Sequence, residues 1–372
     1  MTTLKLRMLK WIKKNRKLLG MAKTMKAKEA VKIKKKLVLF ISLLVFAATM
    51  SMQSAFAWFT AYTETELSVT SGKSARPYLM AGEDFNRTTS PVKSGIETAV
   101  FVDYIPELDG YTYGVDKFDV SKQQDYTVIA WVEGTKMYIG GEGGIIADPS
   151  LNDMFSYYTS LISVTFDRVL DTTPSTSARR MFLSCTSLTT VDLNNITTGG
   201  ITNFQLMFGN CTAIRNVDIT SWDVGKAENM SGMFLNCNYL MRADVGVKDA
   251  QKVITFEGMF KDCNRLNSVD LSSMRTRDAV SYANMFSGCS FLRELDLSGF
   301  QMRADTTLSQ MFAYSGLGTV YASGNWSEVV KVDSLPFWYC ANLTHSTVSD
   351  YEGVDMANYD GGYFTYKAYT GE

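Results

Sequence analysis

The chain has one histidine, His345, among 372 residues. That scarcity removes paired imidazole as a zinc ligand, and no Ser–Asp pair stands out around His345 to complete a hydrolase triad. The six cysteines include no C-x-x-C pair, and no D-x-D-x-D-G loop is present to hold calcium. The glycine run Gly140-Gly141-Glu142-Gly143-Gly144 is not followed by Lys-Ser or Lys-Thr, so it reads as a turn and not as a phosphate loop. With no catalytic constellation to assign, the expectation is a protein that is not an enzyme and uses no cofactor and no metal.

Positive charge is absent from one stretch and concentrated in another. No Lys or Arg falls in residues 38–57, whereas residues 1–37 hold 14 of the 37 basic residues and one acid, Glu29. Residues 37–50 (LVLFISLLVFAATM) are mostly apolar and lead into SMQSAFA, with small residues at Ala55 and Ala57. A basic region, an apolar run and an A-x-A site together read as a secretory signal peptide cleaved after Ala57. The rival reading is a retained anchor over residues 37–59. Its continuous apolar part is short for a hydrocarbon core of ~30 Å, because Ser42, Thr49, Ser51, Gln53 and Ser54 interrupt it.

Cleavage leaves 23 basic and 37 acidic residues, a formal charge of −14. Such a chain repels phosphate backbones, so no nucleic-acid partner is expected. A basic ligand, a divalent cation or an uncharged glycan remains open. Membrane contact is expected only through the leader, if it is not cleaved.

Beyond the site, Ala57-Trp58-Phe59-Thr60 and Glu64-Thr65-Glu66 resemble the AWFTDTET-like junction of secreted Gram-positive proteins handled by a SipW-type signal peptidase. Ala61-Tyr62 stand where that pattern prefers Asp. The resemblance implies export, and such proteins are often surface or extracellular-matrix components.

Self-comparison shows the main feature. Met-Phe recurs at 154, 181, 207, 233, 259, 285 and 311, spaced by 27 residues and then by 26. A degenerate copy, Pro336-Phe337, follows 25 residues later. With Met as position zero, apolar residues fall at −3, 0, +1, +4 and +7, as in Phe204, Met207, Phe208, Cys211 and Ile214. That spacing predicts one stripe of a helix. The period then changes to two, as in Val217-Asp218-Ile219 and Leu295-Asp296-Leu297, which predicts a short half-buried strand. Trp222 and its equivalents Ile196, Met274 and Phe300 are placed to anchor the returning loops.

Neither element can bury its apolar face alone. Stacked copies share one core, and a 26-residue period lies in the leucine-rich-repeat range. The expected fold class is therefore α/β: a leucine-rich-repeat solenoid of about eight 26-residue strand–helix repeats, with a parallel sheet on one face and an N-terminal β-hairpin cap. The frame resembles the BspA-like leucine-rich-repeat surface proteins, whose repeats read roughly M-F-x-x-C-x-x-L-x-x-V-D-L-S. The resemblance implies a cell-surface or secreted, adhesin-like role and names no ligand. Tyr363-Phe364-Thr365-Tyr366 looks like the way such chains close.

The expected organisation is a basic leader and signal peptide at 1–57 and a linker or loose arm at 58–125. A cap follows at 126–153, with a hairpin turning at Gly134, then repeats at 154–345 and a C-terminal cap at 346–372. No LPxTG-like sorting signal or terminal apolar run is found, so covalent wall anchoring is not expected.

Two ladders follow from the frame. Cys185, Cys211, Cys237, Cys263, Cys289 and Cys340 all fall at +4, on the buried stripe. Parallel side chains there are poorly directed for disulfides, so a reduced structural ladder is expected. Asp192, Asp218, Asp244, Asp270 and Asp296 fall at +11, pointing away from the buried strand residues, with Asn194, Thr220, Ser272 and Ser298 at +13 on the same face. Local hydrogen bonding or solvation is the bland account of the aspartates, and a ligand-facing or calcium-assisted stripe the sharp one. The candidate binding face is this strand surface, for a protein, peptide or glycan. The alternative role is a structural component of an extracellular matrix or biofilm.

Overall fold

The computed structural model describes residues 76–369 apart from 167–168, 193–194, 247–248, 272, 331–334, 341, 344–356 and 358–361. Ala55, Ala57 and the rest of the leader lie outside the described residues, as do Asn194, Ser272 and His345. Those described fall in one of two compact units, Ser74–Glu372. They are mostly strands and turns, with few helices and mainly parallel pairing.

The hairpin at Gly134 comprises β3 (Val128–Glu133) and β4 (Lys136–Gly141), antiparallel with Glu133 opposite Lys136. Gly134 takes φ 62°, a left-handed value that costs glycine little. On one side β2 (Lys117–Asp119) pairs with β3. On the other, β1 (Thr98–Val102) runs parallel both to β4 and to β6 (Ser163–Thr165), the strand of the first repeat, while β5 (Ile145–Ile146) and β7 (Leu170–Asp171) form a separate parallel pair. The structure thus differs from the expected loose arm from residue 76 onward. The alternating burial of Thr98-Ala99-Val100-Phe101-Val102 makes β1 the link between hairpin and repeats, and Phe101 stacks on Phe166 at 5.4 Å.

The repeats also depart from the expected strand–helix unit. Their Met-Phe segments are not helices but runs of tight turns. The backbone hydrogen bonds explain why. Amides at 0, +2 and +4 close turns within their own copy: Met181 N to Ala178 O (3.2 Å), Leu183 N to Arg180 O (3.0 Å), Cys185 N to Phe182 O (3.2 Å). Those at −1, +1 and +3 donate to the next copy: Arg180 N to Gln205 O (2.9 Å), Phe182 N to Met207 O (2.8 Å), Ser184 N to Gly209 O (2.7 Å). A helix would spend every amide on itself. Here alternate amides stitch neighbours together, at the cost of left-handed backbone at −1 and +3, as at Gly232 and Asn236 (φ 60° and 58°) and Asn284 and Gly288 (56° and 77°). The stripe Phe204, Met207, Phe208, Cys211 and Ile214 is still buried.

Stacking follows directly. The +1 phenylalanines 155, 182, 208, 234, 260, 286, 312 and 337 lie in sequence with centroids 5.3–6.2 Å apart and ring planes within 16°. Phe85, on helix α1 (Gly82–Thr88), meets Phe155 edge-on at one end of this column. Tyr363 meets Phe337 edge-on at the other.

Helix α1 also replaces the missing preceding copy. The Asn86 side-chain amide donates to Asp153 O (2.9 Å) and Ser156 O (2.8 Å). Thr89 bonds the hydroxyl of Tyr158, which occupies the cysteine position of the first copy.

A third parallel column of single bridges joins Ser150, Ser177, Asn203, Asn229, Thr255, Ser281 and Thr307. Trp222, Ile196, Met274 and Phe300 are buried, as their loop-anchoring role requires.

Candidate binding surface

Asp192 directly follows β8 (Thr190–Val191), and the other four aspartates end β9 (Asn216–Asp218), β10 (Arg242–Asp244), β11 (Ser268–Asp270) and β12 (Glu294–Asp296). Across β9, β10 and β11 the register sets Asp218, Asp244 and Asp270 directly opposite one another. Asp192, Asp218 and Asp270 are exposed, and Asp244 and Asp296 are half-buried.

Local partners absorb much of this charge. Asp218 accepts the Thr220 hydroxyl (2.7 Å) and amide (3.0 Å), an Asx-type turn that ends the strand. Those bonds, with Arg242 nearby, hold its carboxyl below the usual carboxylate range. Arg242 Nε reaches both oxygens of Asp244, at 3.0 and 2.9 Å. That side-chain bond, the attraction of Asp244 and the lesser pulls of Asp218 and Asp270 raise the Arg242 guanidinium pKa.

Asp296 accepts the Ser298 amide (3.0 Å) and the Lys367 ammonium. Burial works to raise this carboxyl, but the Lys367 and Ser298 bonds outweigh it and hold it below the usual range. Lys367 follows β14 (Phe364–Tyr366), which lies parallel to β13 (Thr319–Ala322), itself the neighbour of β12.

At +13 the structure separates residues the sequence groups together. Thr220 is exposed, while Ser298 is only 4 % exposed and cannot meet a ligand on this face. The turn that follows the strand carries it inward.

The six cysteines are buried and free of disulfides. Each thiol donates to the +1 carbonyl of the preceding copy: Cys185 to Phe155, Cys211 to Phe182, Cys237 to Phe208, Cys263 to Phe234, Cys289 to Phe260 and Cys340 to Phe312, at 2.7–3.1 Å. Burial pushes the Cys185 and Cys237 thiols up to about 12, and Cys211, Cys263 and Cys289 are raised as well. Among the described residues no cluster of His, Cys, Asp or Glu is arranged to hold a metal ion, and no helix is long and apolar enough to cross a membrane.

Sequence reasoning passed over a second exposed surface, on the residues between the turn segment and the strand. At +6 stand Tyr239 (45 % exposed), Arg265 and Phe291 (59 % exposed), and Arg215 and Arg293 stand at +8. The Arg265 guanidinium lies over the Tyr239 ring, 4.3 Å from its centre. A shallow hollow beside Tyr239 is lined by Arg215, Thr189, Thr212 and Ala213. The available signal was the break in pattern at +6, where small residues give way to Tyr, Arg and Phe in three consecutive copies.

A family model described as a Mycoplasma protein of unknown function, DUF285, matches residues 149–242 and again 215–318, so the repeat region is similar to that family. No curated protein matches the chain. Among solved structures, the chain is similar to a leucine-rich-repeat protein of T. pallidum: 16% identity, 40% of this chain and 77% of that one, TM-score 0.26. A leucine-rich cell-surface protein of Faecalibacterium prausnitzii A2-165 aligns at 12% identity over 64% of this chain and 92% of its own, TM-score 0.22. Scores this low place no constraint on the fold or function of the present chain.

Proposed function

We propose that the chain is a secreted or surface-displayed binding protein, adhesin-like in role, whose 26-residue repeats form a leucine-rich-repeat solenoid of about eight turns. In this reading it binds a protein, peptide or glycan through an extended strand face. It is not an enzyme, uses no cofactor and has no nucleic-acid partner. A Gram-positive export leader of the SipW type belongs to the same reading, and any membrane contact runs through that leader.

The register of the aspartates carries the proposal. Asp218, Asp244 and Asp270 stand side by side on consecutive strands, with carboxyls outward and the adjacent Ala243 and Val217 buried. Such a row gives many similar contacts along one direction, which suits a chain-like ligand better than a metabolite. Eight strands at their usual spacing extend roughly 38 Å.

The test is binding of the purified full chain to an array of matrix proteins, mucins and bacterial glycans, beside a variant with Asp→Asn at positions 192, 218, 244, 270 and 296. Saturable binding lost in the variant supports the reading. Binding retained by the variant removes the strand face from it. No hit at all, with self-association of the purified protein, transfers the weight to a matrix-forming role.

A further inference from the structure

We infer that the surface formed by Arg215, Tyr239, Arg265, Phe291 and Arg293 is a binding site for an acidic polysaccharide. The inference rests on the reading of the chain as a binding protein, but not on the aspartate face. Three observations carry it.

The first is exposed aromatic area with a direction. Tyr239 and Phe291 share frame position +6 two copies apart, about 10 Å by strand spacing. Tyr239 has one face against the Arg265 guanidinium and is 45 % exposed, and Phe291 is 59 % exposed, so both offer open ring surface to the polarised C–H edges of sugar rings.

The second is charge. Among the described residues no carboxylate pairs with Arg215, Arg265 or Arg293, although the exported chain is acidic as a whole. Arg265 is held over Tyr239 and Arg293 is steadied by the carbonyls of Ser290 and Gly316. Both are therefore presented at fixed positions, as capture of a carboxylate or sulfate requires.

The third is the state of the backbone beside them. At +5 the side chains of Thr212, Asn238 and Ser290 already occupy the carbonyls of Thr186, Asp262 and Asn264. An acidic peptide could not add as a strand there, since that mode needs open backbone groups. The acidic whole opposes every polyanion, and most of all a duplex with its closely spaced phosphates. Arginines set one and two copies apart, about 5 and 10 Å by strand spacing, instead match charges spaced along a glycan.

The test is calorimetric titration of the full chain with polygalacturonate and with chondroitin sulfate, against methyl-esterified polygalacturonate, polyglutamate and a DNA duplex. At least one acidic glycan should bind, weaken as salt rises, and bind at least tenfold more weakly to Tyr239→Ala and to Arg265→Ala. Both substitutions are at exposed positions, and an unchanged thermal midpoint will show that the variants fold. Asp218→Asn should leave this binding intact, which separates the site from the strand face. Binding of neither glycan, unchanged affinity in both variants, or equal affinity for polyglutamate or DNA would overturn the inference. A protein ligand found on the array in any of those cases would still leave the binding-protein reading standing.

Discussion

The thiol of Cys211 donates to the carbonyl oxygen of Phe182 at 3.1 Å, and the same oxygen accepts the Cys185 amide of its own copy at 3.2 Å. A carbonyl has two lone pairs, and here both are engaged inside the core. The cysteine column is thus a hydrogen-bond ladder as well as a packing column. Ser315 takes the same place in the seventh copy, and its hydroxyl finds the Cys340 sulfur at 3.7 Å in place of the carbonyl. The longer reach of sulfur is what makes cysteine suit the site.

That geometry predicts an unusual order of stability. Cys237→Ala should cost about 1 kcal/mol, since the Phe208 carbonyl keeps its amide partner. Cys237→Ser should cost more, about 1–3 kcal/mol, because the shorter hydroxyl is buried without reaching that carbonyl. Urea unfolding of the two variants checks this, and a serine variant as stable as wild type would contradict it.

The same burial predicts alkaline sensitivity. Folded Cys185 and Cys237 titrate near 12, above the ordinary thiol value of 9.0. Between those values the unfolded chain loses protons that the folded one keeps. The thiols therefore contribute their full stability below pH 9, and that contribution falls as pH rises through the window. Thermal midpoints should drop from pH 9 upward. A thiol reagent at pH 8 should label none of the six until the protein unfolds.

The phenylalanine column should be the mechanical centre of the repeats. Phe234 stacks on Phe208 at 5.6 Å and on Phe260 at 5.4 Å, fully buried. Phe234→Ala should cost about 3–5 kcal/mol. Each copy contacts mainly its neighbours, so a break in the middle is expected to split unfolding into two transitions. A single, merely shifted transition in calorimetry would show that coupling does not run through this column.

Asp218 offers a milder test. Asp218→Asn keeps an oxygen for the Thr220 amide and should change stability little, while Asp218→Ala should cost about 0.5–1 kcal/mol. Because its folded carboxyl is held below the usual range, its contribution is present at neutral pH and lost as pH falls through the folded value. Acid titration of the unfolding free energy should show a smaller loss in Asp218→Asn than in wild type, the remainder coming from carboxyls such as Asp296.

Much of this was legible in the sequence, for a physical reason: a shared core forces the same residue type to recur at each copy. Met154 to Met311 fixed the period, Val217-Asp218-Ile219 the strand, and Gly134 the hairpin. The spacing alone does not separate a helix from a run of turns, because the stripe Phe204, Met207, Phe208, Cys211 and Ile214 is buried whether the backbone coils or turns. The distinguishing residues were the intervening ones. Asn210, Gly232, Asn236, Gly258, Asp262, Asn284 and Gly288 recur at −1 and +3, where left-handed backbone is needed and a helix would be weakened. The partners of the aspartates lay beyond such reasoning, since Lys367 meets Asp296 across 71 residues. The arginine–aromatic surface draws on four copies with a different residue at +6 or +8 in each, so a search for periodicity does not find it.

The last prediction concerns how the column begins. Asn86 donates to the carbonyls of Ser156 (2.8 Å) and Met154 (3.4 Å), which in later copies accept amides from the preceding copy. It also donates to that of Asp153 (2.9 Å), which holds the Ser156 amide of its own copy. Asn86→Ala should leave those carbonyls without this partner and cost about 1–2 kcal/mol. Asn86→Asp keeps the shape but replaces the donor with an ionised acceptor, which faces these carbonyl oxygens. It should therefore be the more damaging change at neutral pH and recover towards the alanine variant as the carboxyl is protonated. Hydrogen exchange of the first repeat across that pH range would resolve it. If the aspartate variant protected those amides as well as wild type, the capping role assigned to Asn86 would be wrong.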